Sequence, residues 1–152
     1  MSIIIDFVRR RPGNVLPNGD AVDLSTASSV RLLYSLFMGD IVVRSAAVDF
    51  TTKFGSVSML SVLTGLPEAI SDALISGKGK FQFFEQDEHL VMRRRGDCVE
   101  IRCSYAEGVM RVANEELVIA ILQFSKQSVV DTVEQYPEIL DNPNFLKLTF
   151  LR

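Results

Sequence analysis

The chain has 152 residues, 47% of them apolar and 23% charged, with one histidine, two cysteines and no tryptophan. That is enough apolar material to bury a core without disulfide or metal staples, and it excludes a disordered, collagen-like or coiled-coil chain. Sixteen basic against nineteen acidic residues leave a net charge of −3, which disfavours nucleic acid as a bulk partner, because a duplex binder shows a basic excess that replaces phosphate counterions.

Ile3 to Val8 is rich in β-branched residues and predicts an opening strand. Apolar residues there precede Arg9-Arg10-Arg11, the reverse of a secretory signal, and no apolar run reaches the ~18 residues of a membrane span. The expectation is a cytoplasmic chain with no membrane partner. Pro12-Gly13-Asn14 and Pro17-Asn18-Gly19-Asp20 mark residues 9–29 as a turn-rich irregular segment. Val30 to Met38 and Ile41 to Phe50 read as a hairpin, with Gly39 where a type II′ turn wants it.

From Ser58 to Ile75 apolar residues recur at three- and four-residue steps, interrupted by Gly65 and Pro67. The spacing predicts a short turn followed by a helix starting near Pro67, where the missing N–H does no harm. Gly77-Lys78-Gly79-Lys80 closes it. Four short strands follow, at Phe81–Glu85, Glu88–Arg94, Cys98–Ser104 and Val109–Val112. A Gly96-Asp97 turn sets Arg95 opposite Cys98, Arg93 opposite Glu100 and Met92 opposite Ile101. One face then carries Leu90, Met92, Val99, Ile101 and Cys103, with Arg94 at its margin. The other carries Val91, Arg93, Arg95, Cys98, Glu100 and Arg102.

Asn114 reads as an N-cap with Glu115 and Glu116 in the first helical turn. Val118, Ile121, Leu122, Val129, Val133 and Tyr136 form an apolar stripe, widened by Leu117 and Phe124, and the helix stops before Pro137. The fold class is α+β: one domain over 1–152, an antiparallel sheet with this long helix on one face and a shorter helix before the meander. The sheet's other face is left for solvent or a partner.

Chemistry is sparse. Cys98 and Cys103, five apart, point to opposite faces of one strand and do not pair. His89, in Glu85-Gln86-Asp87-Glu88-His89, lacks the companions of a metal site. Gly77-Lys78-Gly79-Lys80 lacks P-loop spacing, and there is no Gly-x-Ser-x-Gly elbow. The sequence names no cofactor and no metal site. The nearest approach to catalysis is Asp97 with Glu100-Ile101-Arg102, a fragment of a metal-dependent nuclease pattern in which arginine replaces lysine and Asp97 sits in a turn. An enzyme of that kind, with His89 added, is one alternative; an assembly module that oligomerises through Ile3 to Val8 is another.

Charge is uneven. Six acids face three bases from Asn114 to Arg152. With the hairpin acids this marks Glu85, Asp87, Glu88, Glu134, Glu138 and Asp141 as candidate partner-binding residues for a basic protein. The basic runs Arg9-Arg10-Arg11 and Arg93-Arg94-Arg95 read first as solvated surface.

The meander, the long helix and its ending at Tyr136-Pro137-Glu138-Ile139-Leu140-Asp141-Asn142-Pro143-Asn144-Phe145 resemble small bacterial α+β proteins. Among these are immunity proteins of polymorphic or contact-dependent toxin systems. The resemblance covers roughly residues 57 to 148. It implies a cytoplasmic single-domain protein, without chemistry of its own, that occludes the active site of one cognate toxin, often a nuclease. Binding residues vary within such families, so the resemblance assigns none here.

Overall fold

The structure, a computed structural model, describes residues 2–84 and 86–149. Its elements in order are β1 (Ile4–Arg9), α1 (Ser29–Tyr34), β2 (Met38–Arg44), β3 (Val57–Ser58), α2 (Met59–Ser76) and β4 (Lys78–Gln82). They continue as β5 (His89–Arg95), β6 (Cys98–Cys103), β7 (Met110–Ala113), α3 (Asn114–Gln135), a 3₁₀ turn (Pro137–Asp141) and α4 (Pro143–Thr149). The fold is α+β, as expected, but its strands make two antiparallel sheets, β1-β2-β3 and β4-β5-β6-β7.

The meander follows the sequence closely. Gly96, at φ 63°, lets a tight turn close β5 onto β6, and Arg95↔Cys98, Arg93↔Glu100 and Met92↔Ile101 are paired as expected. β4 begins three residues earlier than the Phe81–Glu85 strand predicted. Gly77 ends α2 at φ 90° with its N–H on the Ala73 carbonyl, and the chain enters the sheet at once. At Gly79 a Cβ would fall 1.9 Å from the Ala69 carbonyl oxygen, so only glycine lets β4 lie this close to α2. The predicted strand's far end, Glu85, lies outside the described residues.

Three expectations are corrected by packing that a local reading does not contain. Val30 to Phe50 is not a hairpin: α1 opens on Ser28, whose hydroxyl accepts the Arg31 N–H at 3.2 Å, and β2 runs straight through Gly39. There a Cβ would fall 2.0 Å from the Val8 carbonyl oxygen, so Gly39 serves a close strand approach and not a turn. β2 is the central strand, buried from Met38 to Val43, and the Gly39-Asp40 pair that reads as a turn is buried within it, with Asp40 accepting from Arg10, the Thr52 hydroxyl and the Gly55 N–H.

The helix at Met59–Ser76 is unbroken through Gly65 and Pro67. Pro67 removes one rung to the Leu63 carbonyl, yet eight side chains, from Met59 to Ala73, are buried and hold both halves in line. By length and composition α2 is long and apolar enough to cross a membrane; here its apolar face is part of the core.

One helix was expected to cover the meander, but two share that work. α2 packs on β4 and β5, and α3 on β6, β7 and β1. The buried stripe of α3 is Leu117, Ile121, Phe124, Ser128 and Thr132, whereas Leu122 is 63% exposed. Small polar Ser128 and Thr132 fit where α3 crosses α2; the Thr132 hydroxyl bonds back to the Ser128 carbonyl at 2.7 Å and so needs no outside partner. Asn114 is the first helical residue, not the cap. Its Nδ2 donates to the Gly96 carbonyl at 3.2 Å, tying the helix start to the β5–β6 turn.

One buried cluster joins both sheets through α2 and α3. The turn-rich segment is fastened to it from the C-terminal side. Asn142, fully buried, donates through Nδ2 to the carbonyls of Leu24 and Ala27, each at 2.8 Å, and the Tyr136 hydroxyl accepts the Gly13 N–H at 3.0 Å.

Candidate docking face

Period-two alternation along β4–β7 sends Lys78, Lys80, Arg93, Arg95, Arg102 and Arg111 to the sheet face that α2 and α3 leave open. The register sets Lys78, Arg93, Glu100 and Arg111 in one cross-strand row, and Lys80, Val91 and Arg102 in the next. Glu100 is the one carboxylate among the strand positions of this face. Six cations and one carboxylate make +5, and the total of −3 leaves −8 for the rest of the chain.

Glu100 is central. Oε1 lies 3.9 Å from Arg95 Nε and 3.7 Å from Arg111 Nε, and Oε2 lies 3.8 Å from Arg102 Nη2. Its side chain is 18% exposed while the three arginines are each near 60%. These spacings are ion pairs without hydrogen bonds, and one carboxylate divided among three guanidiniums cancels a single charge. Half-buried Val91 and Cys98 lie between the cations. The surface dips there into an open depression of about 380 Å³ that also touches His89 and Cys103.

The neighbouring arginines have structural uses. Arg94 points to the helix side, where Nη1 donates to the Leu74 carbonyl at 2.9 Å and Nε to the Gly96 carbonyl at 3.1 Å. A cation there complements the C-terminal end of α2. Arg9 stands over the rings of Phe37 and Tyr136, 5.9 and 5.7 Å from their centroids. Arg10 donates to the buried Asp40 at 3.0 Å.

The acidic candidates are dispersed. Asp87 and Glu88 stand in the β4–β5 connection, where Glu88 accepts a hydrogen bond from the Ser104 hydroxyl. Glu134 is exposed at the end of α3, and Glu138 and Asp141 are exposed on the 3₁₀ turn. No hydrogen bond or ion pair among the described residues links the two sets. Glu85 lies outside the described residues. Sequence reading missed Lys78, Lys80 and Arg111 as members of the cationic face; the Lys-x-Lys alternation running into Phe81 was the available signal.

Asp97 is exposed in the β5–β6 turn, remote in role from the ion-paired Glu100. His89 opens β5, its N–H held by the Ser104 hydroxyl at 2.8 Å. Among the described residues no three His, Cys, Asp or Glu side chains gather closely enough to hold a metal ion. Both cysteines are free and half-buried, and burial pushes the Cys103 thiol above its ordinary pKa. No protein-family model, curated protein or solved structure matches the chain.

Proposed function

We propose that the chain is a non-enzymatic protein-binding domain that takes an acidic protein surface on the outer face of β4–β7. The observation that carries this reading is charge segregation: +5 on one open sheet face of a chain whose total is −3. Concentrated charge of one sign steers encounter and fixes the orientation of a complementary partner. Four of the six cations are arginines, whose planar fork matches a carboxylate with two hydrogen bonds. Val91 and Cys98 supply the apolar centre inside a charged rim that protein interfaces use. The strand positions of the face carry no Phe, Tyr or Trp on which a base would stack, and His89, at one end of β5, is the face's one ring.

The resemblance to immunity proteins gives this reading its most specific form. The partner is then a cognate toxin, and the domain inhibits by covering the toxin's active site. The charge sign differs from the one the acid-rich segments suggest, because the toxin surface meeting β4–β7 is acidic.

Capture from nuclease-treated extract of the producing cells tests the reading, with wild-type protein and a Lys80→Glu/Arg102→Glu double variant as baits. Wild type should hold an acidic protein that leaves as salt rises toward roughly 0.5 M, where screening is nearly complete, and the double variant should not hold it. Equal capture by both baits, or material that vanishes with nuclease treatment, overturns the proposal.

A further inference from the structure

A second surface lies on the other sheet. β1 is an edge strand. The Arg10 N–H donates to the Met38 carbonyl at 3.0 Å, and this pair continues the β1–β2 register. The ladder therefore uses Ile4, Asp6, Val8 and Arg10, and the N–H and C=O groups of Ile5, Phe7 and Arg9 point away from β2. The Asp6 carboxylate accepts the Phe7 N–H at 2.8 Å. The N–H groups of Ile5 and Arg9 have no protein acceptor among the described residues.

α3 runs beside this open edge, leaving a groove of about 640 Å³. Ile5 and Phe7 form its strand wall, and Ala120, Gln123, Phe124 and Gln127 its helix wall. Positions 120, 123, 124 and 127 follow the helical step of three and four, so that wall is continuous. Among the described residues, five of the nine exposed large apolar side chains sit on these two elements, Ile4, Val8, Ile119, Leu122 and Val130, and of these Ile4 lines the groove. Charges at the groove cancel. Asp6 and Asp131 stand against Arg9 and Lys126, and the first three are already engaged, with the Phe7 N–H, Gln127 and Gln135 respectively.

We propose that this groove is a strand-addition site for an uncharged extended peptide segment, separate from the cationic face. About five residues, at ~3.3 Å each, span the open edge from Ile5 to Arg9. Main-chain hydrogen bonds to Ile5 and Arg9 hold the segment, and alternate apolar side chains lie on Ala120 and Phe124. The cancelled charge selects an uncharged segment, where β4–β7 selects an acidic surface. A second folded copy is a poorer occupant, because its own β1 brings an α3 along the same edge.

The probe is the blocked peptide acetyl-Thr-Val-Thr-Val-Thr-amide, titrated into full-length protein followed by backbone NMR and amide hydrogen exchange. Slower exchange at Ile5 and Arg9, with shifts at Gln123 and Gln127, is the expected result. Ala120→Phe, which fills the groove, should weaken binding on the order of tenfold or more, as should Gln127→Phe at an exposed position if the first variant fails to fold. Binding that leaves the Ile5 and Arg9 amides unchanged, binding unaffected in the folded variants, or no binding at millimolar peptide overturns the proposal. So does a dimer in sedimentation whose Ile5 and Arg9 amides are protected without peptide, which gives the edge to a second copy.

Discussion

Tyr105 shows how one side chain ties the two sheets together. It follows β6, packs edge-on against Phe54 and Phe83 with centroids 5.4 and 5.8 Å away, and donates its hydroxyl proton to the Phe50 carbonyl at 2.6 Å. Burial pushes the phenol far above its usual value of 10, since the fold accepts only its neutral form. A group with a raised folded pKa contributes stability that is complete below the unfolded value and is lost as pH climbs beyond it. Wild type should therefore weaken above about pH 10, where the unfolded phenol ionises. Tyr105→Phe should lose about 1–2 kcal/mol at pH 7, by orphaning the Phe50 carbonyl, and should then weaken less steeply in alkali. Urea unfolding of both proteins at pH 7 and pH 10.5 measures the two effects; parallel losses in alkali would remove Tyr105 as their source.

At the scale of elements, two glycines make opposite predictions at the contact between α2 and β4. A Cβ on Gly65, inside α2, would meet the Phe81 ring at 3.9 Å, an ordinary contact. Gly65→Ala should stabilise by about 0.5–1 kcal/mol through helix propensity and raise the melting temperature by roughly 1–4 °C in a chain of this size. Gly79→Ala places its methyl inside the Ala69 carbonyl and must push β4 off α2, so its melting temperature should fall. Calorimetry that ranks the two variants the other way would sink this account of the contact. The same elements mark what the sequence made legible. The Gly96-Asp97 turn and the alternation around it are local, so the β5–β6 register and its two faces could be read directly. The continuity of α2 could not, because Pro67 carries a local penalty and what outweighs it is burial against strands distant in sequence. β2 is concealed for a like reason: Gly39-Asp40 reads locally as a turn, and the partners that let Asp40 be buried inside a strand, Arg10, Thr52 and Gly55, lie elsewhere in the chain. Lys78 and Lys80 were hidden behind glycines that suggested an ending, when Gly79 was there to bring the strand against the helix.

For the whole molecule, net charge and charge distribution point in opposite directions, and chromatography separates them. A protein of net −3 with uniform charge passes through a sulfonate cation exchanger at pH 7. Here +5 is confined to one sheet face, and the cations project into water while their one carboxylate is held low among three of them. A resin surface meets one face at a time, and a cation patch about 15 Å across, four strands at ~4.8 Å spacing, lies nearer to it than the −8 carried by the rest of the chain. Wild type should be retained at about 20 mM salt and elute between roughly 0.1 and 0.3 M, where the Debye length falls to 10 Å and below. Lys80→Glu/Arg102→Glu lowers the face from +5 to +1 and should flow through. Glu100→Gln raises it to +6 and should elute later than wild type. Lys80 and Arg102 are exposed and the Glu100 ion pairs are too long for hydrogen bonds, so unfolding free energies should agree to within about 1 kcal/mol, leaving elution to report charge placement alone. Wild-type protein in the flow-through would mean the six cations do not act together, and the acidic-partner proposal would fall with them.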